Sequence, residues 1–225
     1  ISEQNIENTI KHALECGYTG FKLYFMIGLP TETEEDLQGI VDIVLMIKDM
    51  AKVHSKNKRP VQITVSTSVF IPKPLTPFQW ERQISEQEML EKQKFLIDHL
   101  HIKNVRYNWH GAESSVIESV FSRGDRRLID VLERAYKLGC KFDGWSERFD
   151  MTKWRQAFDE CGVDMNDYTR EWKEDEVLPW DFVEHGVSKK YLVNERHNAY
   201  KAQTTKACDK SHCSGCGANK LGRCY

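Results

Sequence analysis

Phe21-Lys-Leu-Tyr-Phe-Met-Ile-Gly28-Leu-Pro-Thr-Glu-Thr33 is the stretch on which the fold turns. Residues 21 to 28 form a short, mostly apolar run closed by Gly28 and Pro30. That is the pattern of a strand buried on both faces of a parallel sheet. Thr31 or Thr33 can cap a following helix, in which Leu37, Ile40, Val41, Val44, Ile47 and Met50 recur at three- and four-residue steps. Glu32, Glu34, Glu35 and Asp36 complement the positive end of its dipole. Upstream, Ile6, Ile10, Ala13 and Leu14 predict a helix over 2–16, with Ser2 as N-cap and Gly17 as stop.

Downstream, Val61-Gln-Ile-Thr-Val65 alternates and is β-branched, and continues through Ser66-Thr-Ser-Val-Phe-Ile71, so a second strand is expected over 61–71. Pro72, Pro74 and Pro77 end it and predict a stiff, extended loop through Phe78 and Trp80. Ser85 with Glu88 reads as a capping box opening a helix to about His101, and 104–109 reads as a third strand. Strands alternating with helices predict an α/β unit with parallel strands. Beyond His110 the pattern is helical: about 112–122, 126–138 between Asp125 and Gly139, 151–161 between Asp150 and Gly162, and 188–202. Residues 163–184 read as acidic, aromatic and irregular. The expected division is 1–110, 111–203 and 204–225.

The chain has 225 residues, 40% of them hydrophobic, with 32 basic against 34 acidic side chains. That is enough for a packed core, and a net charge of −2 gives no general attraction to nucleic acid or anionic membrane. No apolar run approaches a membrane span and no leader pattern is seen, so the cytoplasm is the default compartment. The chain opens on Ile1, inside an expected helix, and reads as a piece of something longer.

Four of the seven cysteines lie in the last eighteen residues, as Cys208-x4-Cys213-x2-Cys216-x7-Cys224. Two thiols separated by two residues can turn back on one ion while a second pair closes a tetrahedral shell. Gly215 and Gly217 bracket Cys216, where a tight turn needs positive φ and N–H groups aimed at sulfur. His212 can stand in for one thiolate. Disulfides are the alternative, but the odd total of seven and the lack of a secretory segment favour metal. Zinc and an iron–sulfur cluster both suit thiolates, and the spacing does not choose between them.

Elsewhere the blander readings prevail. Lys73 is the one ionisable group in the proline-rich loop and reads as solvated. Glu113 with Glu118, and Glu147 with Asp150, are ordinary pairs in a chain that is 29% charged. The histidines show no ligand spacing and no nucleophile elbow exists. Cys16, Cys140 and Cys161 sit at helix ends beside glycine and read as small buried residues.

Phe25-Met-Ile-Gly-Leu-Pro-Thr-Glu-Thr-Glu-Glu-Asp-Leu37 and Ser68-Val-Phe-Ile-Pro-Lys-Pro-Leu-Thr-Pro-Phe-Gln-Trp80 together resemble the fifth and sixth strands of radical S-adenosylmethionine (radical SAM) barrels. The likeness is nearest to uncharacterised members with an N-terminal cobalamin-binding-like domain and a cysteine-rich C-terminal tail. It implies an α/β fold: a partial (β/α)6 barrel, last strands only, then a mostly helical extension and the metal tail. It further implies that backbone around Ile27, Gly28, Leu29, Pro30, Phe70 and Ile71 lines the adenine side of S-adenosylmethionine, and that Cys208, Cys213, Cys216 and Cys224 hold zinc or an auxiliary cluster. Two positions depart from the family pattern: Thr31 stands where a second glycine is usual, and Leu75 where histidine is frequent.

The Cys-x3-Cys-x2-Cys loop that holds the family's catalytic 4Fe-4S cluster is absent from these 225 residues. The resemblance therefore implies an enzyme as part of a longer chain, with the missing N-terminal half as partner and this piece inactive alone. Cobalamin stays open for the full protein, and no substrate is implied. A non-catalytic metal-knuckle interaction module on an α/β scaffold is the alternative.

Overall fold

The structure is a computed structural model, and it describes residues 2–56, 59–209 and 211–222. The chain divides into two units: residues 1–70 with 85–112, and residues 71–84 with 113–225. Each is described by itself.

In the first unit, α1 (Glu3–Glu15), β1 (Gly20–Ile27), α2 (Glu34–His54), β2 (Gln62–Val69), α3 (Glu86–His99) and β3 (Val105–Trp109) follow one another along the chain. The strands form an open parallel sheet in the order β1-β2-β3, with Gly20 opposite Gln62 and Ile63 opposite Val105. Local chemistry sets the helix starts. The Ser2 hydroxyl accepts from the Asn5 N–H at 3.3 Å. Asp36 reaches back to the Thr33 N–H at 2.8 Å, so Thr33 and not Thr31 is the cap. Ser85 and Glu88 close the reciprocal box, at 2.7 Å from Ser85 N–H to the carboxylate and 3.2 Å from Glu88 N–H to the hydroxyl.

The two crossover helices, α2 and α3, pack against each other, as helices on one face of the sheet do when the crossovers share the usual right hand and the strand order advances in one direction. Burial agrees. Leu37, Ile40, Val41, Val44 and Ile47 of α2 are buried, as are Ile63, Val65, Thr67 and Val69 of β2. Tyr107 shares that face, its hydroxyl 2.7 Å from Thr67 Oγ1, and burial pushes the phenol up to about 12. The other face is uncovered. Lys22, Tyr24 and Met26 alternate outward along β1, which is therefore half-buried, not buried on both faces as its apolar run predicts. The physical reason is that the run hides a period of two: only Phe21, Leu23, Phe25 and Ile27 point to the helices.

The second unit is built on α4 (Ala112–Arg123), α5 (Leu128–Lys137), α6 (Met151–Cys161), the single turn α7 (Asn166–Thr169), α8 (Lys189–Tyr200) and a 3-10 turn at Ala218–Lys220. One apolar cluster joins Val120, Leu128, Val131, Ala135, Trp154 and Phe158. Gly124 lets α4 meet α5, because a Cβ there would lie 2.0 Å from Leu128 Cδ1.

A second cluster holds Trp80, Trp172, Leu178, Trp180 and Leu192. Residues 71–84 make turns within this unit instead of the extended loop their prolines predict, and Trp80 is fully buried. Polar bonds explain why. Trp180 Nε1 donates to Gln79 Oε1 at 2.6 Å, and Trp172 N–H to the Trp80 carbonyl at 2.8 Å. Buried Arg123 donates to the carbonyls of Glu81 (2.9 Å), Arg170 (3.2 Å) and Gln79 (3.4 Å), with its guanidinium 4.3 Å from the Trp172 ring centre. Burial, then the nearby Arg170 charge, pushes the Arg123 pKa down to about 10, so it remains a cation at neutrality. Arg196 in turn meets the Glu81 carboxylate at 2.7 Å, which also accepts from the Tyr200 hydroxyl at 2.8 Å.

Arg123→Met is expected to destabilise the second unit by about 3 kcal/mol, since three carbonyls lose their donor at roughly 1 kcal/mol each. Urea denaturation followed by tryptophan fluorescence reads this, and an unshifted midpoint would show that the guanidinium bonds contribute nothing.

Candidate functional site

The C-terminal ends of β1 and β2 are side by side. Ile27 is opposite Val69 in the parallel register, and the Phe70 N–H donates to the Ile27 carbonyl at 2.8 Å, extending the ladder by one bond. Ile27 and Gly28 are buried, Leu29 is exposed, and Pro30 and Phe70 are half-buried. The structure thus brings Ile27, Gly28, Leu29, Pro30 and Phe70 to one rim. Ile71 is buried but opens the first segment of the second unit.

Gly28 has φ 80°, the left-handed region open to a residue without a Cβ, so nothing projects from it toward a ligand. Its N–H donates to Glu32 Oε2 at 2.8 Å, and Glu32 Oε1 meets Lys92 of α3 at 2.8 Å. The Glu32 side chain is only 6% exposed, so this ion pair locks the loop to α3 from inside. Sequence reasoning assigned Glu32 to the helix dipole and missed this role, because Lys92 is sixty residues away in the chain.

The turn between Gly28 and Glu32 carries strain. The Glu32 N–H donates to the Leu29 carbonyl at 3.1 Å, with Pro30 second and Thr31 third in the turn, and Thr31 has φ 68°. That is the layout of a type II turn, whose third residue is normally glycine. The Pro-Thr step in place of Pro-Gly is the signal in the sequence. Within the second unit Pro74-Leu75 repeats the device, with Leu75 at φ 61° and its N–H held by Gln79 Oε1 at 3.0 Å. Bulky or β-branched residues with positive φ are rare and gather at functional loops.

The uncovered sheet face leads down from the rim in rows. Met26 is beside Ser68; below them Tyr24, Ser66 and Asn108 are register partners; below those come Lys22, Thr64 and Arg106. Tyr24 is 76% exposed and Met26 46%. Beyond the outer edge of β1, α1 and α2 border a groove of about 780 Å³ whose charged lining, Glu3, Glu7, Glu32, Glu35, Asp36 and Asp42, is wholly acidic. Phosphate is disfavoured there.

In the tail, Asp209 and His212 pair antiparallel through bonds of 3.0 and 3.2 Å, which sets Cys208 and Cys213 at the flanks of one tight turn. Sulfur atoms collect donors. Cys208 Sγ accepts from the Ser214 N–H at 3.3 Å and lies 3.1 Å from its hydroxyl; Gly215 N–H donates to Cys213 Sγ at 3.4 Å and Ala218 N–H to Cys216 Sγ at 3.5 Å. The Ser214 hydroxyl, then its N–H, hold the Cys208 pKa below the ordinary thiol value. Gly215 and Gly217 have φ 72° and 99°. The turn is fastened to the start of α8 by a 2.8 Å bond from Ser188 N–H to the Cys216 carbonyl. Among the described residues no three metal-ligating side chains converge, and Cys224 lies outside the described residues. His212 is half-buried in the same turn.

Other residues separate cleanly. Lys73 is bonded to Glu118 and Ser122 at 2.8 and 2.9 Å, so neither it nor Glu118 stands free for chemistry. Cys140 is buried and desolvation raises its pKa, Cys161 is half-buried, and Cys16 is exposed, contrary to the expectation for it.

No family model matches the chain. An uncharacterised protein of Methanocaldococcus jannaschii is 32% identical to it over 133 residues, 59% of this chain but 28% of that protein's length. No solved structure matches. Among the described residues no helix is long and apolar enough to cross a membrane.

Thr31→Gly should relieve the left-handed strain of about 1–2 kcal/mol at a smaller entropic cost, and so stabilise the first unit by about 0.5–1 kcal/mol. Glu32→Ala should destabilise it by about 2 kcal/mol by orphaning the Gly28 N–H and Lys92. Thermal unfolding of the two variants checks both signs. Ser214→Ala should slow alkylation of Cys208 at neutral pH, because the thiolate loses its first donor; mass-resolved alkylation rates read this.

Proposed function

We propose that the first unit is a sector of a radical SAM barrel and that the chain contributes the adenine side of the cofactor pocket to a longer enzyme. The observation that carries this reading is the register pairing of Ile27 with Val69, which starts the Gly28 and Phe70 loops side by side at the carboxyl rim of neighbouring parallel strands. Ligands of parallel α/β sheets bind at that rim. Both crossover helices on one face, with the other face polar and open, also suit a barrel wall better than a doubly wound sheet.

The residues fit the group. Gly28 at positive φ leaves space for a flat ring to approach backbone, and the Glu32–Lys92 pair holds the loop still. S-adenosylmethionine beside a reduced iron–sulfur cluster supplies one-electron chemistry when bound. This chain's residues position the nucleoside end, and the 4Fe-4S ligands and any cobalamin site belong to the rest of such an enzyme. The substrate stays open.

The tail supports a second reading, a zinc or iron–sulfur knuckle serving interaction, because three of its sulfurs already accept backbone N–H bonds. Hydrogen bonds to sulfur are a feature of such thiolate sites. The two readings are compatible in one chain.

Titration of ¹⁵N-labelled chain with S-adenosylhomocysteine is expected to shift the amides of residues 27–29 and 70, with Gly28→Val abolishing the shifts while leaving the rest of the spectrum in place. Unperturbed rim amides would sink the cofactor reading. For the tail, anaerobic reconstitution and metal analysis should give one zinc, colourless, or an iron cluster with a broad band near the blue end. Either should be lost in Cys213→Ser/Cys216→Ser.

A further inference from the structure

We propose that the open face of the β1-β2-β3 sheet binds the anionic end of a substrate, a carboxylate or phosphate, through Lys22, Thr64 and Arg106. This rests on the reading of the sheet as a barrel wall with its cofactor at the carboxyl rim. The three residues form one register row, Lys22 opposite Thr64 and Thr64 opposite Arg106, so their side chains leave the same face. Strands about 4.8 Å apart set the outer Cα atoms about 10 Å from each other, a span that two long cationic side chains close over the hydroxyl between them.

Charge distinguishes this face. The chain has 34 acidic residues, yet none lies on the rows from Lys22 to Ser68. Five cations elsewhere, Lys73, Lys92, Arg127, Arg170 and Arg196, contact carboxylates. Lys22 and Arg106 have no ion-pair partner among the described residues, and both are exposed. Arg106 Nε donates to Asn108 Oδ1 at 3.2 Å, which tilts the guanidinium toward the rim and leaves its terminal N–H groups for a bidentate oxyanion.

The rows above define the rest of the ligand. Tyr24, Ser66 and Asn108 offer hydroxyl and amide contacts, and Met26 with Ser68 offers a thioether and a hydroxyl near the rim. Lys22 is five residues below Ile27, about 16 Å at the usual rise of a strand. The ligand is therefore an elongated molecule with one anionic end held low on the sheet and a neutral, polar to weakly apolar end toward the cofactor.

The test uses the labelled chain at constant ionic strength, titrated separately with inorganic phosphate and with glutarate. Saturable shifts confined to residues 22, 64, 106 and their row neighbours are expected, stronger for whichever anion the site prefers. Lys22→Gln/Arg106→Gln should weaken binding roughly tenfold or more, while Lys11→Gln on α1 leaves it unchanged. Linear, unsaturating shifts, or equal affinity in the double variant, would mean adventitious anion contact only and overturn the proposal. S-adenosylhomocysteine shifts at residues 27–29 separate the two ideas. If they persist while saturable anion binding is absent, the anion site alone falls; if they are absent while the row still binds, the cofactor reading falls and the anion site stands.

Discussion

The parallel register that sets Ile27 opposite Val69 governs the rest of the rim. Side chains alternate with a period of two, so a slip of one residue would turn Lys22, Tyr24 and Met26 into the helices and Phe25 and Ile27 out to water. The apolar cost of that exchange fixes the register, and the register fixes where each loop begins. The Phe70 N–H bond to the Ile27 carbonyl then carries the ladder one step past the strands. Glu32, pulled between the Gly28 N–H and Lys92, completes the frame.

The same register explains why one face can afford polarity. A parallel sheet is ordinarily covered on both sides. Here the helices take one face, and the other carries hydroxyls, an amide, a phenol and two cations in aligned rows. Such a face gains little from burial against apolar neighbours and much from a polar ligand, which is why it suits binding better than packing.

The second unit is organised differently, around a cation. Arg123 is buried with carbonyls as acceptors and a tryptophan face beside it, and the segment that supplies two of those carbonyls is 71–84. Gln79, Trp80 and Glu81 tie that segment to Trp172, Trp180 and Arg196. The left-handed Leu75 after Pro74 is held by the same Gln79 that accepts from Trp180, so local strain is offset by buried hydrogen bonds nearby.

Local chemistry was legible in the sequence: the Ser2 cap, the Ser85–Glu88 box, the glycine stops at Gly139 and Gly162, three strands alternating with helices, and the positive φ of Gly215 and Gly217. These depend on neighbours within about four residues, which sequence displays directly. Tertiary structure alone decided that β1 keeps one face open, that Glu32 pairs with Lys92, that residues 71–84 turn inward around Trp80, and that Lys22, Thr64 and Arg106 share a row. Each of these joins residues tens of positions apart, and such partners are chosen by strand register and core packing, which no local pattern encodes.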